Sequence, residues 1–89
     1  MEPPTLEQIQ HVVALELGVK RVGATDLLVE DLGVESMDLV AILSAVEDRW
    51  GIAAGNADLS GVRTVADLHG LVTNLVAHPV TNPAARPGG

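Results

Sequence analysis

The run Asp31-Leu32-Gly33-Val34-Glu35-Ser36-Met37-Asp38-Leu39-Val40 decides how the rest of the chain is read. An acidic loop ends in a glycine, and a hydroxyl residue then stands where a long apolar helix begins. Ser36 is therefore placed at or beside a helix N-cap, where unpaired backbone N–H groups and the positive end of the helix dipole converge. That setting suits an anion, a phosphate ester on the hydroxyl included.

Downstream of Ser36 the helical period holds to Trp50. Leu39, Ile42, Leu43, Val46 and Trp50 make one core-facing stripe, and Gly51 ends the helix. A second apolar group, Met37, Val40 and Ala41, lies to one side of the stripe, and the polar Ser44, Glu47 and Asp48 continue that side. Ile52 to Asn56 reads as a small-residue loop, with one short helical turn expected over Asp58-Leu59-Ser60-Gly61-Val62. Thr64 with Asp67 three residues on opens a last helix whose inward face is Val65, Leu68, Val72 and Leu75. That helix is expected to fray at His78-Pro79, and Val80 to Gly89 reads as a disordered tail.

Upstream, Thr5 with Gln8 forms a capping-box pattern. Leu6, Ile9, Val12, Val13 and Leu17 then recur at helical spacing until Gly18. Between Val19 and Glu35 the period is lost. Leu27, Leu28, Val29 and Leu32 are too apolar to be left in water, so this long loop is expected to be pinned onto the helices. No repeat and no strand pattern is found. The expectation is an all-α fold, a small bundle of three main helices and one short one, with residues 1–4 an extension, 5–77 the domain and 78–89 a tail.

Composition narrows function. The 89 residues make one domain, and 47% apolar content supplies a core without disulfides. The chain has no cysteine, so any thiol chemistry must arrive on a cofactor. A formal charge of −7 disfavours nucleic acid and anionic membrane and favours partners with basic docking surfaces. No signal peptide and no apolar run long enough for a bilayer is found, so a cytoplasmic monomer is expected.

The Asp31–Val40 run resembles the attachment site of the acyl carrier protein family, D-L-G-x-D-S-L, with Glu35 in place of Asp and Met37 in place of Leu. Four further segments are similar in the same order, the first being Leu17-Gly18-Val19, which looks like the end of the family's first helix. Leu28-Val29-Glu30-Asp31-Leu32-Gly33 follows the family's approach to the serine. Val46-Glu47-Asp48-Arg49-Trp50-Gly51-Ile52 resembles L-E-E-x-F-G-I, and Val62-Arg63-Thr64-Val65 resembles I-x-T-V. Ala41 departs from the acidic residue common in fatty-acid carriers. The Met1 start and the tail suggest a free-standing carrier.

The resemblance implies that a phosphopantetheinyl transferase moves a 4′-phosphopantetheine arm from coenzyme A onto Ser36, with Mg²⁺ held in the transferase. The arm's thiol would hold an acyl group as a thioester for acyl-loading and acyl-transfer enzymes such as ketosynthases or ligases. Ser36 would then be a substrate, which agrees with the lack of a general base near it in the chain. The competing reading is a plain helix cap, worth about 1 kcal/mol.

Glu35 and Asp38 either complement the helix dipole or face a basic partner, Glu35 also helping to place the transferase's metal. Met37, Val40 and Ala41 are candidates for an apolar docking patch, with Glu47 and Asp48 as acids around it. The acids Glu30, Asp31, Glu35, Asp38, Glu47 and Asp48 lack EF-hand spacing and read as a solvated face with no metal site. Trp50 is assigned to the core, and His11, His69 and His78 to the surface. Two classes stay open: a carrier, of acyl or of aminoacyl and peptidyl groups, and a non-enzymatic acidic module whose serine only caps.

Overall fold

Among the described residues, threonine decides where two of the three helices start. In the computed structural model, which describes residues 2–54 and 58–78, Thr5 is extended and its hydroxyl accepts the Gln8 N–H at 3.1 Å. The Gln8 side chain accepts the Thr5 N–H in return, at 2.8 Å. This reciprocal pair satisfies two of the donors a helix start leaves open, and it sets α1 at Leu6–Leu17. Thr64 and Asp67 repeat the device at 3.1 and 3.0 Å and set α3 at Val65–Ala77. Between them α2 spans Ser36–Trp50. Gly18 and Gly51 close α1 and α2 in the left-handed region, φ 71° and 63°, where a side chain is disfavoured.

The expected stripes supply most of the observed core, with Leu17 and Leu39 only partly buried at its edge and Leu6 outside it. Ile9, Val12 and Val13 of α1 meet Ile42, Leu43, Val46 and Trp50 of α2 and Val65, Leu68, Val72 and Leu75 of α3, with Ala14 added. Helix α1 packs on both others and is the spine of the bundle. The connection from Gly18 to Glu35 is pinned, as its composition requires: Val22, Leu28 and Val34 plug the core. Its backbone is tied to the approach to α3. Leu28 N–H donates to Arg63 O at 2.8 Å, Ala66 N–H to Ala24 O at 2.8 Å and Val65 N–H to Asp26 O at 3.2 Å.

Three expectations are corrected. Val29 is not pinned but 64% exposed, because the turn at 28–33 buries Leu28 and half-buries Leu32, leaving Val29 on its outer side. Asp58 to Val62 is a turn and not a short helix. The Asp58 carboxylate takes the Ser60 N–H at 3.0 Å and Leu59 O accepts from Val62, so the backbone reverses before a helix can start. His69 is half-buried, its Nε2 lying 3.0 Å from the carbonyl of the buried Pro4; a carbonyl only accepts, so Nε2 carries the proton. That bond also packs Pro4, at the end of the expected extension, onto α3. The residues of the expected tail from 79 onward, and the end of the loop at 55–57, lie outside the described residues.

Two outcomes follow from this packing. Ile42 is fully buried, so Ile42→Ala is expected to lower unfolding stability by about 2–5 kcal/mol in urea titrations followed by Trp50 fluorescence. Asp67 is held below the usual carboxylate pKa of 3.8, chiefly by the Thr64 N–H and then by the Arg63 N–H and the Thr64 hydroxyl. Its folded pKa is depressed, so its stabilisation is complete above that value and fades as pH falls through the folded one. The protection of amides in the first turn of α3, measured against their intrinsic exchange rates, should fall on acidification, and Asp67→Asn should flatten that dependence.

Candidate functional site

The approach to Ser36 is a turn held by its own polar groups. Leu27 O accepts from Asp31 and Leu32 N–H at 2.9 and 3.0 Å, and the Asp31 carboxylate takes the Leu27 N–H at 2.8 Å. Gly33, at φ 67°, lets the chain swing back so that Val34 drops into the core, its N–H on Leu28 O at 2.8 Å. Thus Asp31 locks the turn, Leu32 anchors it and Gly33 reverses it. Asp31 stays exposed to solvent while its carboxylate makes this bond.

Helix α2 starts one residue earlier than a capping serine would require. Glu35 keeps an extended backbone, φ −101° and ψ 173°, and is the N-cap residue; its carbonyl accepts the Leu39 N–H at 2.9 Å. The Asp38 carboxylate folds back onto the Glu35 N–H at 3.0 Å. Ser36 is consequently the first helical residue. Of the two places read for Ser36, at the cap or beside it, the structure takes the second, because Asp38 stabilises the extended residue one place earlier. The serine is exposed and its hydroxyl is free of the capping geometry.

Around that hydroxyl the surface is apolar. Met37 is 82% exposed and Val40 63% exposed, and with Ser36 they line a recess of about 250 Å³. A second, longer groove of about 330 Å³ runs from Ser36 past Leu39, Val40, Leu43, Ser44 and Glu47 to Leu59. Its α2 members recur at three- and four-residue steps, so one helix face forms one wall. Leu59, from the turn before α3, forms part of the other. Ala41 is half-buried and contributes less to this surface than Met37 and Val40.

The acids divide. Glu35 and Asp48 are exposed, as docking groups should be. Asp38 is half-buried on the Glu35 N–H, and Glu47 is half-buried with its carboxylate on the Ala54 N–H at 2.7 Å. Glu47 therefore fastens the chain after α2 before it can meet any partner. Neither the recess nor the groove is lined by His, Lys or Cys. Nothing in this lining can take the Ser36 proton except Glu47, which is already engaged. The arrangement suits a serine that is modified by another protein and then presents what it carries along an apolar channel.

Sequence reasoning missed Leu43 and Ser44 as groove lining, though Ser44 stands two turns from Ser36 on the same face. It could not have found Leu59, which arrives through the tertiary fold.

Residues 7–72 match the family model described as a phosphopantetheine attachment site. The chain is similar to an acyl carrier protein of Saccharopolyspora erythraea, 40% identical over 81 residues, 89% of this chain and 85% of that one. It is also similar to acyl carrier protein 3 of Ralstonia nicotianae, 35% identical over 68 residues, 74% and 78% of the two chains. Among solved structures, the oxytetracycline acyl carrier protein shares the fold at TM-score 0.68 and 20% identity, covering 98% of this chain and 99% of that one. MacpD, an acyl carrier protein from Pseudomonas fluorescens involved in mupirocin biosynthesis, does so at TM-score 0.63 and 27% identity, covering 92% and 77%.

A Cβ at Gly33 would meet no atom within 4 Å, so Gly33→Ala is opposed by the left-handed backbone alone. It is expected to lose about 1–2 kcal/mol in thermal or urea unfolding. Asp31→Ala is expected to lose about 1 kcal/mol with the Leu27 hydrogen bond and to speed amide exchange at Leu27.

Proposed function

The chain belongs to the acyl carrier protein family, and from that premise we propose that Ser36 is the residue esterified by its 4′-phosphopantetheine arm. A carrier of this family is not an enzyme: it holds acyl intermediates for enzymes that act on them. The bound arm supplies the thiol that this cysteine-free chain lacks, and holds the acyl group as a thioester. One observation carries the assignment of Ser36: an exposed hydroxyl at the first position of α2, at the mouth of an apolar groove, with no activating base in the lining.

Each neighbour then has a part. The N-terminus of α2 offers positive potential to the phosphodiester that links serine and arm. Asp38 and Asp31 hold the turn so that the hydroxyl projects outward. Met37 and Val40 form the apolar contact for a phosphopantetheinyl transferase and for later acyl-transfer enzymes. Exposed Glu35 and Asp48 attract basic surfaces on those enzymes, and Glu35 stands next to where the transferase would place its metal. Such a contact is small, fast and readily released, as a carrier that visits several enzymes needs.

The groove supports a cargo class. Ser44 and Glu47 interrupt a lining of Leu39, Val40, Leu43 and Leu59, which favours short, oxygen-bearing acyl groups of the polyketide kind over a long alkyl chain. The mupirocin relationship of MacpD points the same way. Among the described residues no helix is long and apolar enough to cross a membrane. The carrier is read as a cytoplasmic monomer.

Incubation with coenzyme A, Mg²⁺ and a transferase of broad specificity is expected to add the mass of one phosphopantetheinyl group, and Ser36→Ala to abolish it. A folded wild-type chain that gains no mass would overturn the assignment. Met37→Ser with Val40→Ser should lower the transferase's kcat/KM about tenfold by removing buried contact area. Because both side chains are exposed, unfolding stability should move by no more than about 0.5 kcal/mol.

A further inference from the structure

We propose that the carrier has a second docking face, of opposite charge to the first, between α1 and the segment that follows it. After Gly18 the chain turns back, and Lys20-Arg21-Val22 runs beside the helix it has just left. The Gln10 side chain fixes that return by donating to Val22 O at 2.9 Å. An open groove of about 320 Å³ results, with His11, Gln10 and Glu7 on the helix side and Lys20 and Arg21 on the other. Its floor is the buried Ala14 and Val22.

Two features mark it as a surface for a partner. Lys20 and Arg21 are two of only five Lys and Arg in a chain of net charge −7, and both are exposed. Glu7 is the one carboxylate in the lining. Beside the groove stand Leu15, one turn on from His11 and 62% exposed, and Val19, 46% exposed. Neither belongs to the Ser36 surface.

Charge complementarity identifies the occupant. Nucleic acid and anionic membrane are held by larger basic clusters, of about four to eight cations, and would be repelled by the remainder of this protein. Two cations on a shallow apolar floor fit a short protein segment with acidic side chains next to a leucine-like residue. At physiological salt the screening length is about 8 Å, so a segment seated there feels Lys20 and Arg21 more than the distant acids. Basic enzymes would meet α2 through Met37 and Val40, while an acidic segment of an assembly engages α1. Cargo transfer and tethering then use different surfaces.

The test is an NMR titration of ¹⁵N-labelled carrier with a short peptide of alternating glutamate and leucine, beside a lysine–leucine peptide and inorganic phosphate. Expected are shifts at His11, Ala14, Leu15 and Val19 to Val22 with the acidic peptide, weakened on the order of tenfold by Lys20→Glu with Arg21→Glu. Leu15→Ser should weaken them too. The charge-reversed variant should keep its Ser36 loading rate, which shows that it is folded and that the α2 surface is intact. Shifts confined to α2, binding indifferent to charge reversal, or the same shifts from phosphate alone would each overturn the proposal.

Discussion

The connection from Gly18 to Glu35 is the constraint on which the fold and its site depend. A segment of that length is entropically expensive to order and carries backbone groups that must not be buried unpaired. The chain meets both demands with one clasp, in which Leu28, Val65 and Ala66 donate to Arg63, Asp26 and Ala24. Those bonds join the loop to the start of α3, and the side chains beneath them, Leu28, Val34 and Val65, are core. The position of Ser36 is thus inherited from a contact between parts of the chain far apart in sequence.

The helices were legible because their signals are local. Stripes of three- and four-residue spacing, two threonine caps and two left-handed glycines each act within a few residues. Those helix ends fall at the residues the sequence indicates. What escaped was decided by competition or by distance. Ser36 and Glu35 can each stand at a helix start, and the side chain of Asp38, reaching back to the Glu35 N–H, shifts the cap by one residue. Val29 reads as one more core residue until the turn around it is known. Leu59 reaches the groove from a turn whose helical appearance the Asp58 side chain overrides. His69 finds Pro4 across 65 residues of sequence.

The acidity of the chain has two origins. Asp26, Asp31, Asp38, Glu47, Asp58 and Asp67 each accept a backbone N–H, in every case at a turn, a helix start or the chain after a helix. Carboxylates suit this work because a charged acceptor makes the stronger hydrogen bond and can be supplied from a short side chain. Such a chain, with no disulfide to restrain its long connections, uses acids as fasteners.

That division changes how the charge bears on recognition. On the proposed reading, the exposed Glu35 and Asp48 steer a partner's approach without fastening a loop. Ser36 lies outside both sets and outside the core. Its environment therefore combines a rigid backbone, fixed from behind by Asp38 and Val34, with an outer face where only Met37, Val40 and the first turn of α2 act. A group attached there can be bulky and variable because no core contact has to yield to it.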